Sequence, residues 1–262
     1  RTVVFVGDLV DRGPSSVGVR RLAMGMTAGS HALAVPGNHE AKLIRALDGA
    51  DVQVSHGLQT TLAELEEESP EFRQRVRDWC YSLVSHLVLD DGRLVVAHAG
   101  LKEEYHGRAS GRVRSFALYG DTTGETDEFG LPVRYPWADE YRGKATVVYG
   151  HTPTPELTWI NNTLCLDTGC VFGGRISALR YPERETVQVD AHVEYYVPAK
   201  PFSTTVNRGD DELRLTDVVG ARHVETGQLG RVKIDADSAA GALEVMSRFA
   251  LHPRLLPYLP PT

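Results

Sequence analysis

Five short apolar runs in this 262-residue sequence each stop at a side chain able to hold a cation. Val3-Val4-Phe5-Val6-Gly7 leads to Asp8, and Ala32 to Val35 leads through Pro36-Gly37 to Asn38. Leu94 to Ala97 leads to His98, Ala145 to Tyr149 leads through Gly150 to His151, and Leu164-Cys165-Leu166 leads to Asp167. Strands that end on one edge of a sheet would gather these five side chains in the crevice where open α/β sheets bind ligands. Carboxylate, amide-oxygen and imidazole donors together suit Mn(II) or Fe(II) better than Ca(II), which prefers oxygen alone. A carboxylate such as Asp8 can bridge two cations about 3.5–4 Å apart. The pattern therefore reads as a two-metal hydrolase site. Its cations would lower the pKa of a shared water and neutralise phosphate oxygens during an in-line displacement. Singly, each residue has a plainer reading: a turn for Asn38, an Asx turn for Asp167, a hydrogen-bonded structural imidazole for either histidine. Their repetition at strand ends is what favours chemistry.

Three neighbours complete the set. His39 follows Asn38 directly, so the two side chains diverge, and an imidazole that titrates near neutrality suits a proton donor to the leaving oxygen. Asp11 could hold that imidazole in one tautomer and raise its pKa. Arg12 could grip non-bridging phosphate oxygens bidentately. The plainer reading of Asp8 to Pro14 is a capped helix start with a surface ion pair. No Gly-x-Ser-x-Gly motif competes for a nucleophile's role.

The elements that must position these groups follow from periodicity. Val3 to Val6 reads as a strand buried on both faces, with Pro14 at the first position of a helix. Val17 to Met26 has helical spacing and stops near Gly29. Ala32 to Val35 is a second strand, and Ala41 to Leu47 a helix. Two more helices are expected at about 57–68 and 70–86, the second opened by Pro70. Leu87 to Leu89 and Leu94 to Ala97 form a hairpin across Asp90-Asp91-Gly92. Residues 103–137, rich in Gly, Thr, Ser and Arg, read as a long lid or substrate-binding loop. It carries Arg108, Arg112 and Arg114, which could contact substrate phosphate or simply face solvent. Ile176 to Arg180 and Thr186 to Val189 pair around Pro182-Glu183-Arg184. Beyond Pro198 a linker (201–211), short strands (212–234), an amphipathic helix (238–249) and a Pro-rich end (253–262) are expected.

Composition sets outer limits. The chain is 42% hydrophobic and 24% charged with a net charge of −7, an ordinary globular balance without a basic surface for nucleic acid. Acidity does not exclude a nucleic-acid end as substrate, because metals attract phosphate locally. No apolar run approaches the roughly 18 residues of a membrane span. A core strand almost at once after Arg1 leaves no signal peptide, and the missing initiator Met suggests a fragment. Cys80, Cys165 and Cys170 form no CxxC pair, which fits reduced thiols in a cytoplasmic protein.

Gly7-Asp8-x-x-Asp11-Arg12-Gly13, Gly37-Asn38-His39-Glu40, His98-Ala99-Gly100 and Gly150-His151-Thr152, in that order, resemble the calcineurin-like metallophosphatases. The resemblance implies an α/β fold: a β-sandwich of two mixed sheets flanked by helices. It implies Asp8 as the bridging ligand and Asn38, His98 and His151 on one metal. Asp11 and His39 become an acid pair, Arg12 the phosphate clamp, and Asp167 a supporting residue. A finer likeness points to the phosphatase module of bacterial polynucleotide kinase–phosphatase. It is carried by Val54 to Leu58, Gly107 to Gly120, Glu125 to Pro132, Asp167 to Gly174 and Tyr195 to Phe202. The tail (Leu243 to Phe249, Leu256 to Thr262) resembles the start of that family's ligase-like module. The likeness implies a manganese-dependent RNA-repair phosphatase, with magnesium, nickel or iron as substitutes for its two ions. Its substrate would be RNA 3′ ends bearing 2′,3′-cyclic, 2′- or 3′-phosphates. Its partners would be kinase and ligase modules of the same parent chain and an RNA ribose methyltransferase.

Departures from the pattern bear on these expectations. The family's opening Asp-x-His-Gly motif, which supplies ligands to the other metal, is expected ahead of Arg1. As given, the chain carries one complete metal site and only the Asp8 half of the other, which leaves its activity on its own an open question. Neither Gly-x-x-x-x-Gly-Lys-Ser/Thr nor Lys-x-Asp-Gly occurs, so kinase and adenylylation chemistry are absent here. The domain expectation is a metallophosphatase over 1–200, a linker over 201–211 and part of a ligase-like module over 212–262. Alternatives are a phosphoprotein or dinucleoside polyphosphate phosphohydrolase, or an inactive scaffold docking repair partners through the 238–249 helix.

Overall fold

The computed structural model describes residues 1–199, 202, 223–226 and 230–233. Contacts divide the chain into two units, Arg1–Thr204 and Thr205–Thr262. In the second, β13 (His223–Thr226) and β14 (Gly230–Lys233) pair as an antiparallel hairpin. The 201–211 linker, except Phe202, and the 238–249 helix and 253–262 tail lie outside the described residues. So does most of the proposed ligase-like stretch.

The first unit is a mixed α/β fold. Strand β1 (Val3–Phe5) pairs in parallel with β2 (Ala32–Ala34), and helix α1 (Ser16–Ala28) makes the crossover between them. Helices α2 (Asn38–Leu47), α3 (Leu58–Glu66) and α4 (Pro70–Ser82) follow. Then come β3 (His86–Leu89), β4 (Leu94–Ala97), α5 (Gly111–Tyr119), β5 (Thr122–Thr126), β6 (Pro132–Arg134) and α6 (Trp137–Glu140). Strands β7 (Thr146–Tyr149), β8 (Trp159–Ile160), β9 (Thr163–Cys165), β10 (Asp167–Thr168), β11 (Arg175–Arg180) and β12 (Glu185–Asp190) complete the unit. The largest sheet has the order β3-β4-β7-β9-β8, parallel across β4, β7 and β9 and antiparallel at both edges.

Strand alternation divides the core. Every residue of Leu94-Val95-Val96-Ala97 is buried, as expected of a central strand covered on both faces. Val95 and Ala97 pack with Val147 against Val113 and Phe116 of α5 and Trp137 of α6. Leu94 and Val96 face the other way, with Val148, onto Val35, Val4, Val6 and Leu179. The central sheet is thus covered by helices on one side and by strand residues on the other. A third cluster joins α2, α3 and α4 through Leu43, Leu58, Leu65, Phe72 and Val76, and Val10 of the first loop plugs into it.

Several expectations shift. Val3 is 43% exposed and Val4 to Val6 are half-buried, because β1 has one hydrogen-bonded neighbour rather than two among the described residues. Helix α1 opens after Ser15, whose hydroxyl accepts from the Gly18 amide. A side-chain cap there satisfies an orphan donor, so Pro14 sits in the approach rather than at the first helical position. Helix α2 starts at Asn38, three residues early, since the Glu40 carboxylate accepts from the Gly37 amide and closes the first turn. Helix α4 ends at Ser82 rather than 86, and β3 takes up His86. Residues 103–137 are not a bare loop. Ser110 caps α5, whose Val113, Phe116 and Ala117 are buried, and β5 pairs with β6. The polar composition hid the four apolar residues that α5 buries, Val113, Phe116, Ala117 and Leu118.

Candidate active site

Two Gly-bearing turns meet where β1 and β2 end. Gly7 adopts φ +90°, and a Cβ there would lie 2.6 Å from the Gly37 nitrogen and 2.8 Å from His98 Nδ1. A Cβ on Gly37 would lie 2.1 Å from Asp8 Oδ1. Backbones approach this closely only where neither residue carries a side chain. The polar residues around them take left-handed conformations: Asp8 at φ 53°, Asp11 at 69°, Arg12 at 60° and His151 at 75°. The Glu40 carboxylate fastens the first turn to α2. Oε2 accepts from the amides of Asp8 (2.8 Å) and Gly37 (2.7 Å), and Oε1 from the Leu9 amide (2.8 Å) and Arg20 Nη2 (3.0 Å). Burial alone would raise this carboxyl's pKa, but Arg20 and the backbone donors reverse the sign and hold it below the usual range.

Asp8, Asn38, His98 and His151 come together. His98 Nδ1 lies 2.9 Å from the Val6 carbonyl, which can only accept, so this nitrogen carries the proton. In its neutral form the ring turns the lone pair of Nε2 toward Asn38 Oδ1 (3.0 Å) and Asp8 Oδ1 (3.4 Å), both acceptors. His151 Nδ1 stands 3.0 Å from the same atom. The ligand atoms of Asp8, His98 and His151 all lie within 4.8 Å of one another. The acceptor atoms of Asn38 and Asp8 repel the His98 Nε2 lone pair unless a cation sits among them. His151, whose Nε2 accepts from Arg134, carries its proton on Nδ1 in this arrangement and becomes a ligand only when that proton or the Arg134 bond is given up. A mixed N/O donor set of this kind fits a divalent first-row metal, so the residues present fit the metal that the motifs imply. Burial, with His98 and Arg134 beside it, pushes His151 down to about 2 and keeps it neutral.

Beside this cluster lies the second pair. His39 Nδ1 is 2.5 Å from Asp11 Oδ2, and the other Asp11 oxygen accepts from Thr61 Oγ1 at 2.6 Å. Ser16 and Thr61 hydroxyls receive the Asp11 amide. His39 Nε2 lies 4.0 Å from Asp8 Oδ2, on the side of the candidate metal cluster. Burial lowers the imidazole's pKa, and the Asp11 bond with the Asp8 charge outweighs it, so the net shift is upward.

Arg12 reaches the site between two rings, its guanidinium carbon 5.4 Å from the Phe172 centroid and 5.6 Å from that of Tyr196. Its buried Nε has no hydrogen-bond partner among the described residues. Asp167 opens β10 and accepts from the Gly169 amide at 3.0 Å. Burial, then Asp8, pushes its carboxyl up, yet it stands outside the Asp8–His98–His151 group. Arg108, Arg112 and Arg114 are all exposed. None of their side chains makes a hydrogen bond or ion pair among the described residues. Sequence reading missed Glu40 as a clamp, although Gly37-Asn38-His39-Glu40 contains it. It missed Arg20 and Thr61, whose partners are distant in sequence. Phe172 and Tyr196 stood inside quoted motifs without a role. It also passed over Arg134, from the same 103–137 stretch, whose Nη2 donates to His151 Nε2 at 2.7 Å.

Comparison with known proteins adds a substrate dimension. The profile of the calcineurin-like phosphoesterase family matches residues 1–196. A bis(5'-nucleosyl)-tetraphosphatase PrpE [asymmetrical] of Anoxybacillus flavithermus is 49% identical over 207 residues, covering 77% of this chain and 84% of that protein. The Bacillus subtilis protein of the same name is 47% identical over 199 residues, covering 74% and 82%. A solved structure, provisionally named a diadenosine tetraphosphatase, superposes with a TM-score of 0.51 at 29% identity, covering 72% of this chain and 80% of its own. These relatives overturn the expectation of RNA 3′ ends as substrate. They equally overturn kinase and ligase modules and an RNA methyltransferase as partners. The metal motifs handle a phosphoryl group and carry no information about what hangs from it. Among the described residues no helix is long and apolar enough to cross a membrane.

Proposed function

The chain belongs to the calcineurin-like phosphoesterases, and from that premise we propose that it is a manganese-dependent hydrolase of dinucleoside polyphosphates. The observation that carries the chemistry is the facing of acceptor atoms at His98 Nε2, where Asn38 Oδ1 lies at 3.0 Å and Asp8 Oδ1 at 3.4 Å. The substrate side is supported by the tetraphosphatase relatives, at 49% and 47% identity. Residues 1–200 would carry the reaction.

Asp8, Asn38, His98 and His151 would hold one cation, with Asp8 also facing a second. Bound cations of this kind polarise phosphoryl oxygens and make water a better nucleophile at neutral pH. The chain's own groups supply the remainder. The His98 proton is fixed on Nδ1 by the Val6 carbonyl, leaving Nε2 free as a ligand. His39, oriented through Nδ1 by Asp11, presents Nε2 toward the Asp8 side. There it can give a proton to the leaving oxygen as the P–O bond breaks and water oxygen bonds phosphorus. Arg12, steadied between Phe172 and Tyr196, presents a planar fork that matches two non-bridging phosphate oxygens. Asp167 supports the site from β10.

The experiment compares diadenosine tetraphosphate, a phosphopeptide and a 3′-phosphorylated RNA as substrates for the protein supplied with manganese. Preferential release of nucleotide from the tetraphosphate is expected. Faster turnover of either other substrate overturns the reading, and so does unchanged activity in Asp8→Ala or Asn38→Ala.

A further inference from the structure

We propose that Arg134 is a second phosphate-binding residue of this site, gripping the polyphosphate chain beyond the phosphorus under attack. The proposal rests on the dinucleoside polyphosphate reading and narrows it, by naming a residue that reads the length of the chain.

Arg134 ends β6, in the segment inserted between β4 and β7. Its side chain is half-buried, and every partner it finds is neutral. Nη2 donates to His151 Nε2 at 2.7 Å, Nε to Thr152 Oγ1 at 3.3 Å and Nη1 to the Pro132 carbonyl at 3.4 Å. No carboxylate lies within ion-pairing reach of it among the described residues. Arg20, Arg77, Arg93, Arg175 and Arg180 do find carboxylates, in a chain with 35 Asp and Glu. A guanidinium withdrawn from water without a counter-charge is costly. A binding site for anions is where that cost has a use.

Position supports the same conclusion. His151 belongs to the candidate metal cluster, so the Arg134 fork lies one imidazole ring away from the place where a phosphoryl group would react. Arg12 likewise lacks an ion-pair partner among the described residues, and its Nε is buried and unpaired. One guanidinium serves the reacting phosphate, and a tetraphosphate carries charge on three more. A phosphate offers the guanidinium an opposite charge and a bidentate geometry that its present neutral acceptors lack. An arriving polyphosphate would therefore draw Arg134 off His151 Nε2.

The test uses the full chain with manganese and two substrates, diadenosine tetraphosphate and p-nitrophenyl phosphate, which has a single phosphate. Arg134→Gln should lower kcat/KM for the tetraphosphate by about ten- to a hundredfold, mostly through KM. The loss on the monophosphate should be smaller, so that the ratio of the two falls at least about tenfold. Arg134→Lys, which keeps the charge and loses the fork, should fall between. Calorimetry on metal-free protein with a methylene-bridged tetraphosphate analogue gives a readout independent of turnover, and binding should weaken in the Gln variant by a similar factor. An unchanged ratio with unchanged analogue binding overturns the role of Arg134 alone. Wild-type protein that leaves the tetraphosphate intact while cleaving p-nitrophenyl phosphate overturns the substrate reading, and this proposal with it.

Discussion

Replacing Glu40 by Gln tests whether the first turn is held as the geometry implies. Glu40 is 0% exposed and Arg20 1% exposed. Both carboxylate oxygens are filled by donors, two on each. An amide group in either place points its own N–H groups at two donors. It also strips the counter-charge from Arg20, which keeps only the Trp79 ring, 4.8 Å away. Breaking a buried pair from one side typically costs about 3–5 kcal/mol. For a unit of roughly this size each kcal/mol is worth about 2–4 °C, so the melting temperature should fall by roughly 6–20 °C. Removing both charges, as Glu40→Gln with Arg20→Met, should recover part of that loss because no orphaned charge remains. Thermal melts followed by circular dichroism give the shifts. The pH dependence supplies a second check. The folded pKa of Glu40 is lowered, so its stabilisation is fully present above the ordinary carboxylate range and is lost as pH falls through the folded value. Wild type should lose this stability on acidification, and Glu40→Gln should lack that component. A melting temperature within about 2 °C of wild type in the single variant would refute the reasoning.

Three further outcomes follow from the same geometry. His39→Ala should cost about 10²–10⁴-fold on an alkyl phosphate, whose leaving alkoxide needs a proton, and much less on a phosphoanhydride, whose leaving phosphate has a pKa of about 6; equal losses on both, in parallel rate assays, would remove His39 as the proton donor. In Gly37→Ala the new Cβ would stand 2.4 Å from the Asp8 nitrogen, forcing the turns apart by about 1 Å, and kcat should fall about 10²-fold with a cooperative melt retained. His98→Ala should weaken manganese binding, measured by calorimetry, by at least about 10–100-fold, and retention of wild-type affinity would dissolve the proposed metal centre.

The sequence made the strand ends legible because each is an apolar run that stops at a polar residue, directly at His98 and Asp167 and through a Gly at Asp8, Asn38 and His151. Asp8, Asn38, His98 and His151 meet because β1 and β2 of one sheet and β4 and β7 of another end beside one another. What escaped was contact across long separations. Arg20 meets Glu40 and Thr61 meets Asp11, and nothing in either local stretch announces the partner. Helix α5 escaped because Val113, Phe116 and Ala117 are few and sit among arginines, so tertiary burial rather than periodicity decides that segment. The proposed substrate class left no such trace. The candidate metal ligands answer to what a phosphoryl group requires, whereas the proposed grip of Arg134 on the rest of the polyphosphate lies in a segment with no motif of its own.

The left-handed backbone at Asp8, Asp11 and Arg12 gives the buried ion pair a purpose. For non-glycine residues each such conformation costs about 1–2 kcal/mol. Three of them within five residues would relax in an isolated loop, swinging the carboxylates and the guanidinium away from their targets. Four hydrogen bonds to the Glu40 carboxylate and two to the Asp11 amide hold the turn in place, and the Val10 side chain, 6% exposed, anchors it in the helical core. Neutralising Glu40 should therefore weaken manganese binding even in molecules that remain folded, because Asp8 depends on its backbone being held where the chain would not otherwise place it. Arg20→Met alone leaves the Asp8 and Leu9 amide bonds intact, so it should destabilise the fold while weakening the metal less than Glu40→Gln does. If calorimetry at 10 °C below each variant's melting onset gives the two equal affinities, the clamp stabilises the protein without positioning the ligand.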